Sequence, residues 1–269
     1  MRTTAYRYPH ESLILVFTIL LVLGVIALTA TATVCASGFF ILAFLVISYN
    51  TSLTHHRALL RAGRRVSPQT MPVLAQVLRR GVERLQPGEI EAYVVPEAQL
   101  NAYTFGLSAP KVVVLYSALL EVMDEDEILF ILGHELGHVA LGHTWLNSLV
   151  GGMAGIPSSF SAAALMSMAF LWWNRACEYS ADRAGLLACG GMEKAITALL
   201  KLAAGPQARD AYDLEKIYRQ IDAQDDTFLG SLNEVLGTHP LLVRRIQELR
   251  QYAVSDQYRR LKTLLERSS

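Results

Sequence analysis

Residues 124–143 read DEDEILFILGHELGHVALGH, and this stretch decides the fold around it. Asp124 suits an N-cap position, and Glu127 three residues later completes the pattern of a capping box, so we predict that a helix begins here. Apolar residues surround the axis of this helix on all sides, which predicts that it is buried. They are Ile128, Leu129, Phe130, Ile131, Leu132, Leu136, Val139, Ala140 and Leu141.

The pentapeptide HELGH at residues 134–138 carries the chemistry of the buried helix. His134 and His138 are one helical turn apart and face the same way, so both imidazoles can bind one zinc ion. Glu135 can reach a water activated by that ion and take its proton during attack on a carbonyl. Burying these side chains without partners is costly, and a metal accounts for all three. The alternative is a chance match in a helix with a polar face.

A third zinc ligand is expected within residues 175–185, which read RACEYSADRAG. Catalytic zinc usually takes three protein ligands and one water. Glu178 and Asp182 are four residues apart and share a helix face. We predict that Glu178 is the third ligand of a single zinc ion. Asp182 would accept a hydrogen bond from the outer nitrogen of His134 and fix its orientation. The alternative is a solvated acidic face paired with the flanking arginines.

Other polar residues fit either a functional or a structural role. His239 could stabilise the oxyanion of a tetrahedral intermediate, or it could cap the following helix. Arg245 could act similarly, although pairing with an acidic side chain is the simpler interpretation. His143 follows His138 by five positions on the predicted helix, so we expect it to point off the ligand face and to be structural. Cys177 is interpreted as a small buried residue.

An apolar N-terminal segment predicts a membrane anchor over residues 1–52. No charged residue occurs from Ser12 to Tyr49, and one transmembrane helix needs about 20 residues. We predict a hairpin of two helices, Ser12–Ala30 and Thr33–Tyr49; one long tilted helix is the alternative. Arginines flank both ends of the run, which predicts that both ends are cytoplasmic. The chain is then an integral protein of the inner or plasma membrane with a cytoplasmic catalytic domain.

The remaining chain predicts an α+β fold that is mostly helical. A linker helix within residues 53–86 begins at Ser67-Pro68 and ends at Leu85. Residues 87–269 would form a catalytic domain, helical after Asp124. Before that point, three stretches with strand character predict a small antiparallel sheet. They are Ile90–Val95, Leu100–Phe105 and Lys111–Tyr116.

An uncharged insert at residues 145–173 separates the two ligand motifs. Glycines and a proline split it into two arms that are short for a membrane span of about 20 residues. Because Glu178 and His138 must reach the same ion, the insert must cross the bilayer an even number of times. We predict a helical hairpin that dips into the interface or covers the cleft. Two full crossings, or an ordinary pair of buried helices, are the alternatives.

HELGH, followed about 40 residues later by EYSAD, resembles the HtpX and CAAX prenyl protease family of membrane zinc endopeptidases, within the gluzincins. Asn101-Ala102-Tyr103 resembles a strand before the metal helix of that family, and Thr238-His239-Pro240 with Arg245-Ile246 resembles its late element. The resemblance covers residues 90–250. It implies a zincin-like domain, peptide-bond hydrolysis and a substrate lying along an edge strand. Asn101, Ala102 and Tyr103 are the candidate substrate-binding residues, and membrane protein quality control is the implied role.

Charge and composition limit the partners that we expect. The net charge is zero, so the basic surface of a nucleic-acid-binding protein is missing. Protein or peptide substrates, membrane proteins among them, and the lipid bilayer are the predicted partners. A processing enzyme for one substrate is a second enzymatic hypothesis. A non-catalytic membrane protein with a structural zinc is the alternative function, although such a site does not require Glu135.

Overall fold

A computed structural model of the chain describes residues 5–32, 60–106, 108–144, 161–205 and 242–268, with residue 219 and scattered positions between 39 and 58. The described elements are α1 Glu11–Ala32, β1 Arg64–Arg65, α2 Pro72–Leu85, β2 Ile90–Val95, β3 Ala102–Phe105, β4 Lys111–Tyr116, α3 Ser117–Val122, α4 Glu125–Ala140, α5 Ser161–Cys189, α6 Met192–Ala204, α7 Leu242–Ala253 and α8 Asp256–Ser268. The fold is mostly helical with one small sheet, as predicted. The boundaries proposed at residues 52 and 86 stay predictions.

Helix α4 is the centre of the fold, and its start confirms the predicted capping box. The Asp124 carboxylate accepts hydrogen bonds from the backbone N–H groups of Asp126 and Glu127, and the Glu127 carboxylate accepts one from the Asp124 N–H. Every side chain from Glu127 to Val139 is buried. The all-round apolar pattern therefore predicted the burial correctly.

The sheet is mixed, so the prediction of an antiparallel sheet was wrong. The strands lie in the order β1-β2-β4-β3. Strand β4 is antiparallel to β3 but parallel to β2. The chain passes from β2 to the outer strand β3 before it returns as β4 between them. Alternation along a strand fixes which face is buried, but it does not name the neighbouring strand.

Helix α2 begins later than predicted. Residues 68–70 form a turn, and Met71 is the N-cap with Pro72 at the start of the helix. The hydroxyls of Ser67 and Thr70 lie 3.0 Å apart, and the Ser67 carbonyl accepts the Met71 N–H. These local bonds hold a turn where helix was expected, and Pro72 rather than Pro68 takes the first position.

The N-terminal helix α1 matches the first predicted span. It is 22 residues long, and its segment Glu11–Leu28 is long and apolar enough to cross a membrane. Many of its apolar side chains are exposed, with Leu20 at 59%. Near its start, Ile14 packs against Trp173 and Cys177 of α5. The second predicted span, Thr33–Tyr49, lies largely outside the described residues.

The second arm of the insert belongs to one long helix. Helix α5 runs for 29 residues without interruption and carries both the end of the insert and Glu178. No proline falls between Ser161 and Cys189, so nothing in this range forces a break. Residues 145–160, including the predicted turn of the hairpin, lie outside the described residues. The membrane placement of the insert stays a prediction.

Helices α4 and α5 approach each other closely because glycines line their contact. A Cβ atom at Gly137 would lie 2.6 Å from the Ala184 Cβ, and one at Gly133 would lie 2.4 Å from the Ala188 Cβ. On the opposite helix, a Cβ at Gly185 would lie 2.8 Å from a backbone oxygen of α4. This close approach brings the HELGH helix and the helix of Glu178 together.

Candidate metal centre

Three predicted ligands converge where α4 and α5 meet. The Nε2 atoms of His134 and His138 lie 3.1 Å apart. The Glu178 carboxylate faces both, with Oε2 3.6 Å from the His134 Nε2 and Oε1 3.5 Å from the His138 Nε2. All three residues are buried, and their ligand atoms form a group that could hold one metal ion. We call the point that these atoms face the metal position.

The outer nitrogen of each of the two imidazoles has a hydrogen-bond partner. The His134 Nδ1 lies 2.9 Å from the Asp182 Oδ1. The His138 Nδ1 lies 2.9 Å from the Nδ1 of His143. If each outer nitrogen donates, both Nε2 atoms carry lone pairs that face each other beside a carboxylate. Three electron-rich atoms in this arrangement repel unless a cation joins them, and two imidazoles with a carboxylate suit zinc.

Asp182 is held by an arginine as well as by the histidine. Arg245 of α7 donates to both Asp182 oxygens, at 2.8 and 2.6 Å. Its Nη1 also lies 3.6 Å from the Glu178 Oε2. Burial by itself raises the pKa of Asp182, but Arg245 and His134 outweigh it, so the pKa is lowered and the carboxylate stays ionised. The simpler interpretation of Arg245, pairing with an acid, describes this contact.

His143 lies against the predicted zinc ligand His138, contrary to the expectation that it points away. Helix α4 ends at Ala140, and Gly142 has a positive φ of 78°. This left-handed residue turns the chain back, which glycine does without strain. The expectation assumed that the helix continued. Burial lowers the pKa of His143 to about 4, so its ring is neutral at pH 7.

The other nitrogen of His143 reaches the N-terminal segment of the chain. Its Nε2 lies 3.1 Å from the Oε1 of Glu11, the first residue of α1. Glu11 is only 1% exposed. Its carboxylate also accepts hydrogen bonds from Arg7 and from the hydroxyl of Ser180 on α5. The first residue of the apolar helix α1 is therefore linked through His143 to a predicted zinc ligand.

Glu135 lies between the metal helix and the outer strand of the sheet. Its side chain is buried, and its Oε2 accepts a hydrogen bond of 3.1 Å from the Thr104 hydroxyl of β3. Strand β3 is the edge of the described sheet on this side. Ala102 shares the face of Thr104, whereas Tyr103 points to the opposite face. Asn101, just before the strand, is exposed, and its carbonyl accepts the Tyr116 N–H at 3.0 Å.

Several residues near the centre were missed or cannot be placed. His239 and its neighbours Thr238 and Pro240 lie outside the described residues. Thr104 was missed although the strand containing it was singled out. Alternation would have separated its face from that of Tyr103. Glu11 carried a weaker signal: it is the acidic residue at the start of an apolar run, where burial of a charge requires partners.

This donor set suits a zinc metalloprotease, and comparison with known proteins assigns the chain to a family of peptidases. The sequence profile of Peptidase family M48 matches residues 68–253, well over half of the 269 residues. The chain belongs to this family. The resemblance drawn from HELGH and EYSAD is thereby confirmed.

Named relatives agree with the family. The chain is 28% identical over 218 residues to the plastoglobule-localized metallopeptidase 48 of Arabidopsis thaliana, which covers 76% of this chain and 62% of that protein. It is 28% identical over 220 residues to protease HtpX of Acinetobacter baumannii strain AYE, covering 68% of this chain and 70% of that protein. A 48-residue stretch, 18% of this chain and 11% of the relative, is 42% identical to the CAAX prenyl protease 1 homolog of Dictyostelium discoideum.

Proposed function

We propose that this protein is a membrane-anchored zinc endopeptidase in which Glu135 is the general base. One observation carries the proposal: two imidazole nitrogens and the Glu178 carboxylate face a common point, and Glu135 follows the first histidine on the same helix. His134, His138 and Glu178 would hold a single ion. A structural zinc site would have no use for this additional glutamate, and it would be expected to bring a fourth protein ligand.

The proposed chemistry divides between the ion and the chain. Zinc, when bound, makes water a better nucleophile and polarises a substrate carbonyl. Glu135 accepts the proton of the attacking water and delivers it to the amide nitrogen that leaves. The Thr104 hydroxyl, 3.1 Å away, orients the Glu135 carboxylate. Asp182 keeps the ring of His134 in place, and Arg245 keeps Asp182 ionised. His239 remains a candidate donor to the developing oxyanion.

An extended peptide is the substrate form that this site suits. Strand β3 is an edge strand in the described sheet, and an extended segment can pair with a free edge through backbone hydrogen bonds. Asn101, Ala102 and Tyr103 would contact such a substrate. Thr104 connects the same strand to Glu135, so a peptide bound along β3 would pass close to the base. A peptide bound in this way would have its scissile bond near the metal position.

The membrane part of the proposal rests on α1 and on the packing of its flanks. Helix α1 exposes apolar side chains that suit lipid. Tyr6 precedes this helix and Val66 follows residues 33–62, yet both are buried in the same core. A chain that leaves through the bilayer along α1 must therefore return, which supports a hairpin with both ends on one side. The arginines on both flanks favour the cytoplasmic side.

Substrates are proposed to be membrane proteins or their cytoplasmic tails, and the role is proposed to be quality control. Both follow from an active site held beside a membrane anchor and from the apolar insert between the ligand motifs. Deleting the predicted hairpin of the insert should slow cleavage of a membrane substrate more than cleavage of a soluble unfolded protein. If the deletion slowed cleavage of both substrates to the same degree, this part of the proposal would be contradicted.

Zinc content and casein cleavage in detergent, measured side by side for wild type and Glu135→Gln, test the enzymatic proposal. We expect one zinc per chain in both and cleavage by wild type alone, with a loss in the variant of at least about 100-fold for removal of a general base. Glu125→Gln is the matched control, because Glu125 is an exposed glutamate on the same helix. Bound zinc with equal cleavage by all three chains would contradict the role of Glu135. Bound zinc without any cleavage, of membrane substrates included, would favour a structural zinc protein.

A further inference from the structure

We propose that Glu11 and His143 are positioning residues for the zinc ligand His138, so that the start of the apolar helix α1 completes the metal centre. The inference rests on the proposed metal position, but it does not depend on peptide hydrolysis. Neither residue belongs to the predicted ligand set. Glu11 also lies outside residues 68–253, which the family profile matches.

The direction of the hydrogen bonds follows from the geometry. His138 faces the metal position with Nε2, so its proton belongs on Nδ1 and is donated to the His143 Nδ1 at 2.9 Å. A histidine that accepts through Nδ1 carries its own proton on Nε2. That proton points at the Glu11 Oε1, 3.1 Å away. The Glu11 carboxylate therefore selects the form of His143 that holds His138 ready for a metal.

Glu11 is fixed in this role by its surroundings. A carboxylate that is 1% exposed needs partners, and Glu11 receives hydrogen bonds from Arg7 and Ser180 besides His143. Arg7 also donates to the carbonyl of Leu141 at 3.0 Å, directly before the turn that carries His143. The N-terminal segment thus contacts two positions, Leu141 and His143, of the short connection that follows His138.

A similar arrangement supports the other histidine ligand, which makes the comparison useful. His134 is held by an acid that an arginine neutralises, and both belong to helices of the family region. His138 contacts His143, which in turn contacts the carboxylate of Glu11 on α1. Arg7 also contacts this carboxylate. Carboxylates and other groups behind metal-bound histidines tune affinity through orientation and tautomer.

The same cluster could instead be a second metal site, because Glu11, His143 and Cys177 bring possible ligand atoms within 4.8 Å of one another. The hydrogen bonds of the Glu11 carboxylate argue against this, because it already accepts from Arg7, Ser180 and His143. The proposal therefore predicts one zinc per chain and no role for the Cys177 sulfur.

Zinc affinity of the full-length chain in detergent, measured by competition with a chromogenic chelator, tests the proposal. We expect His143→Phe and Glu11→Ala to raise the zinc dissociation constant by about 10- to 100-fold, the usual effect of losing such a partner. His143→Asn can still offer an acceptor near the position of Nδ1, and Glu11→Gln can still accept from His143. Both conservative variants should recover most of the affinity. Cys177→Ala, at equal depth, is the control and should bind zinc like wild type.

A spectroscopic measurement separates positioning from general damage. The visible spectrum of the chain loaded with Co²⁺ reports the geometry of the ligands, and it should change in His143→Phe but not in Cys177→Ala. Wild-type affinity and an unchanged cobalt spectrum in His143→Phe and Glu11→Ala would overturn the proposal. Two zinc ions per chain, with one lost in Cys177→Ala, would overturn it in favour of a second metal site. Because cleavage is not used, an inactive wild type would leave this test intact.

Discussion

Glu178 is the donor that α5 brings to the metal position, while both histidines come from α4. Its two oxygens lie 3.6 and 3.5 Å from the Nε2 atoms of His134 and His138. Replacing it by alanine would also leave Arg245 without one of its acidic neighbours. A glutamine keeps the size of the side chain and removes its charge. This makes Glu178→Gln the better test of ligand chemistry.

We expect Glu178→Gln to lose at least about tenfold in zinc affinity, because a neutral amide is a much poorer zinc ligand than a carboxylate. Metal analysis after dialysis against a weak chelator would measure the loss. Glu193→Gln on α6, an exposed glutamate, is the control. Full zinc retention in Glu178→Gln would show that the third ligand comes from elsewhere.

Thr104 offers a milder test at the same scale. Thr104→Val keeps the shape of the side chain and removes the 3.1 Å hydrogen bond to Glu135. A hydrogen bond of this kind contributes about 1 kcal/mol, so kcat/KM should fall by roughly five- to tenfold while zinc content stays unchanged. Steady-state cleavage of a quenched peptide would measure it, with Thr104→Ser as the variant that should retain the rate. An unchanged kcat/KM in Thr104→Val would remove this residue from the proposed mechanism.

Sequence spacing predicted the residues that lie on regular helices and missed those that depend on turns. His134, Glu135 and His138 follow from one period of a helix, and Glu178 with Asp182 follows from another. His143 required knowledge that α4 stops before Gly142. Glu11 required knowledge that α1 packs beside α5. Gly142 is a local signal for the end of a helix, whereas the packing of α1 depends on contacts between distant parts of the chain.

At the scale of elements, the start of α4 is held by a small polar network. Burial by itself raises the pKa of Asp124, but the ion pair with Lys194 and the N–H groups of Asp126 and Glu127 outweigh burial and lower it. A lowered folded-state pKa means that this contribution is present above the unfolded value of about 3.9 and is lost as pH falls through the folded value. The helix that carries HELGH is therefore weakened in acid.

Asp124→Ala should destabilise the protein by about 1 kcal/mol at pH 7, the usual cost of removing an N-cap. Its melting temperature should fall by about 2–4 °C, the shift expected per kcal/mol for a domain of this size. The difference from wild type should shrink as pH falls below about 3.9, where the unfolded chain binds a proton at this carboxylate, and should be lost once pH passes the lower pKa of the folded state. A difference that grows as pH falls would contradict the proposed direction of the pKa shift.

The close contact of α4 with α5 predicts a larger effect. Gly137→Ala would place a Cβ 2.6 Å from that of Ala184, on the helix that carries Glu178. Overpacking of this kind costs about 1–3 kcal/mol and pushes the helices apart, so both melting temperature and zinc affinity should fall. Gly24→Ala in α1 is the matched control, since a Cβ there meets nothing within 4 Å. Equal behaviour of the two variants would show that the helix contact can relax.

The type of each helix or strand was predictable where the sequence signal is local. Which strands lie next to each other in the sheet was not predictable. The bounds of β2 and β4 follow the sequence pattern, and so does the capped start of α4. The neighbour of β4 depends on where the chain goes after β2, which residues 96–101 do not reveal by composition. The helix α2 starts at Pro72 and not at the predicted Ser67-Pro68, because hydrogen bonds between Ser67 and Thr70 hold a turn before it.

For the whole molecule, the metal should act as a clamp between helices. A ligand that binds only the folded state adds about 2.7 kcal/mol of stability when present at 100 times its dissociation constant. Removing zinc with a chelator should therefore lower the melting temperature, and added zinc should restore it. Glu178→Gln should respond little to either treatment. If the melting temperature of wild type did not change on removal or addition of zinc, the site would contribute nothing to holding α4 and α5 together.

The burial of Tyr6 and Glu11 has a practical consequence for anyone who wishes to prepare a water-soluble version of this protease. Trimming the chain back to residue 64 would keep the sheet and the whole region matched by the family profile. It would also open the core that Tyr6 fills and remove the acid behind His143. Such a trimmed chain should be purified poor in zinc even though every ligand is still encoded. Replacing only the exposed apolar side chains of α1, while keeping residues 5–14, is the better design.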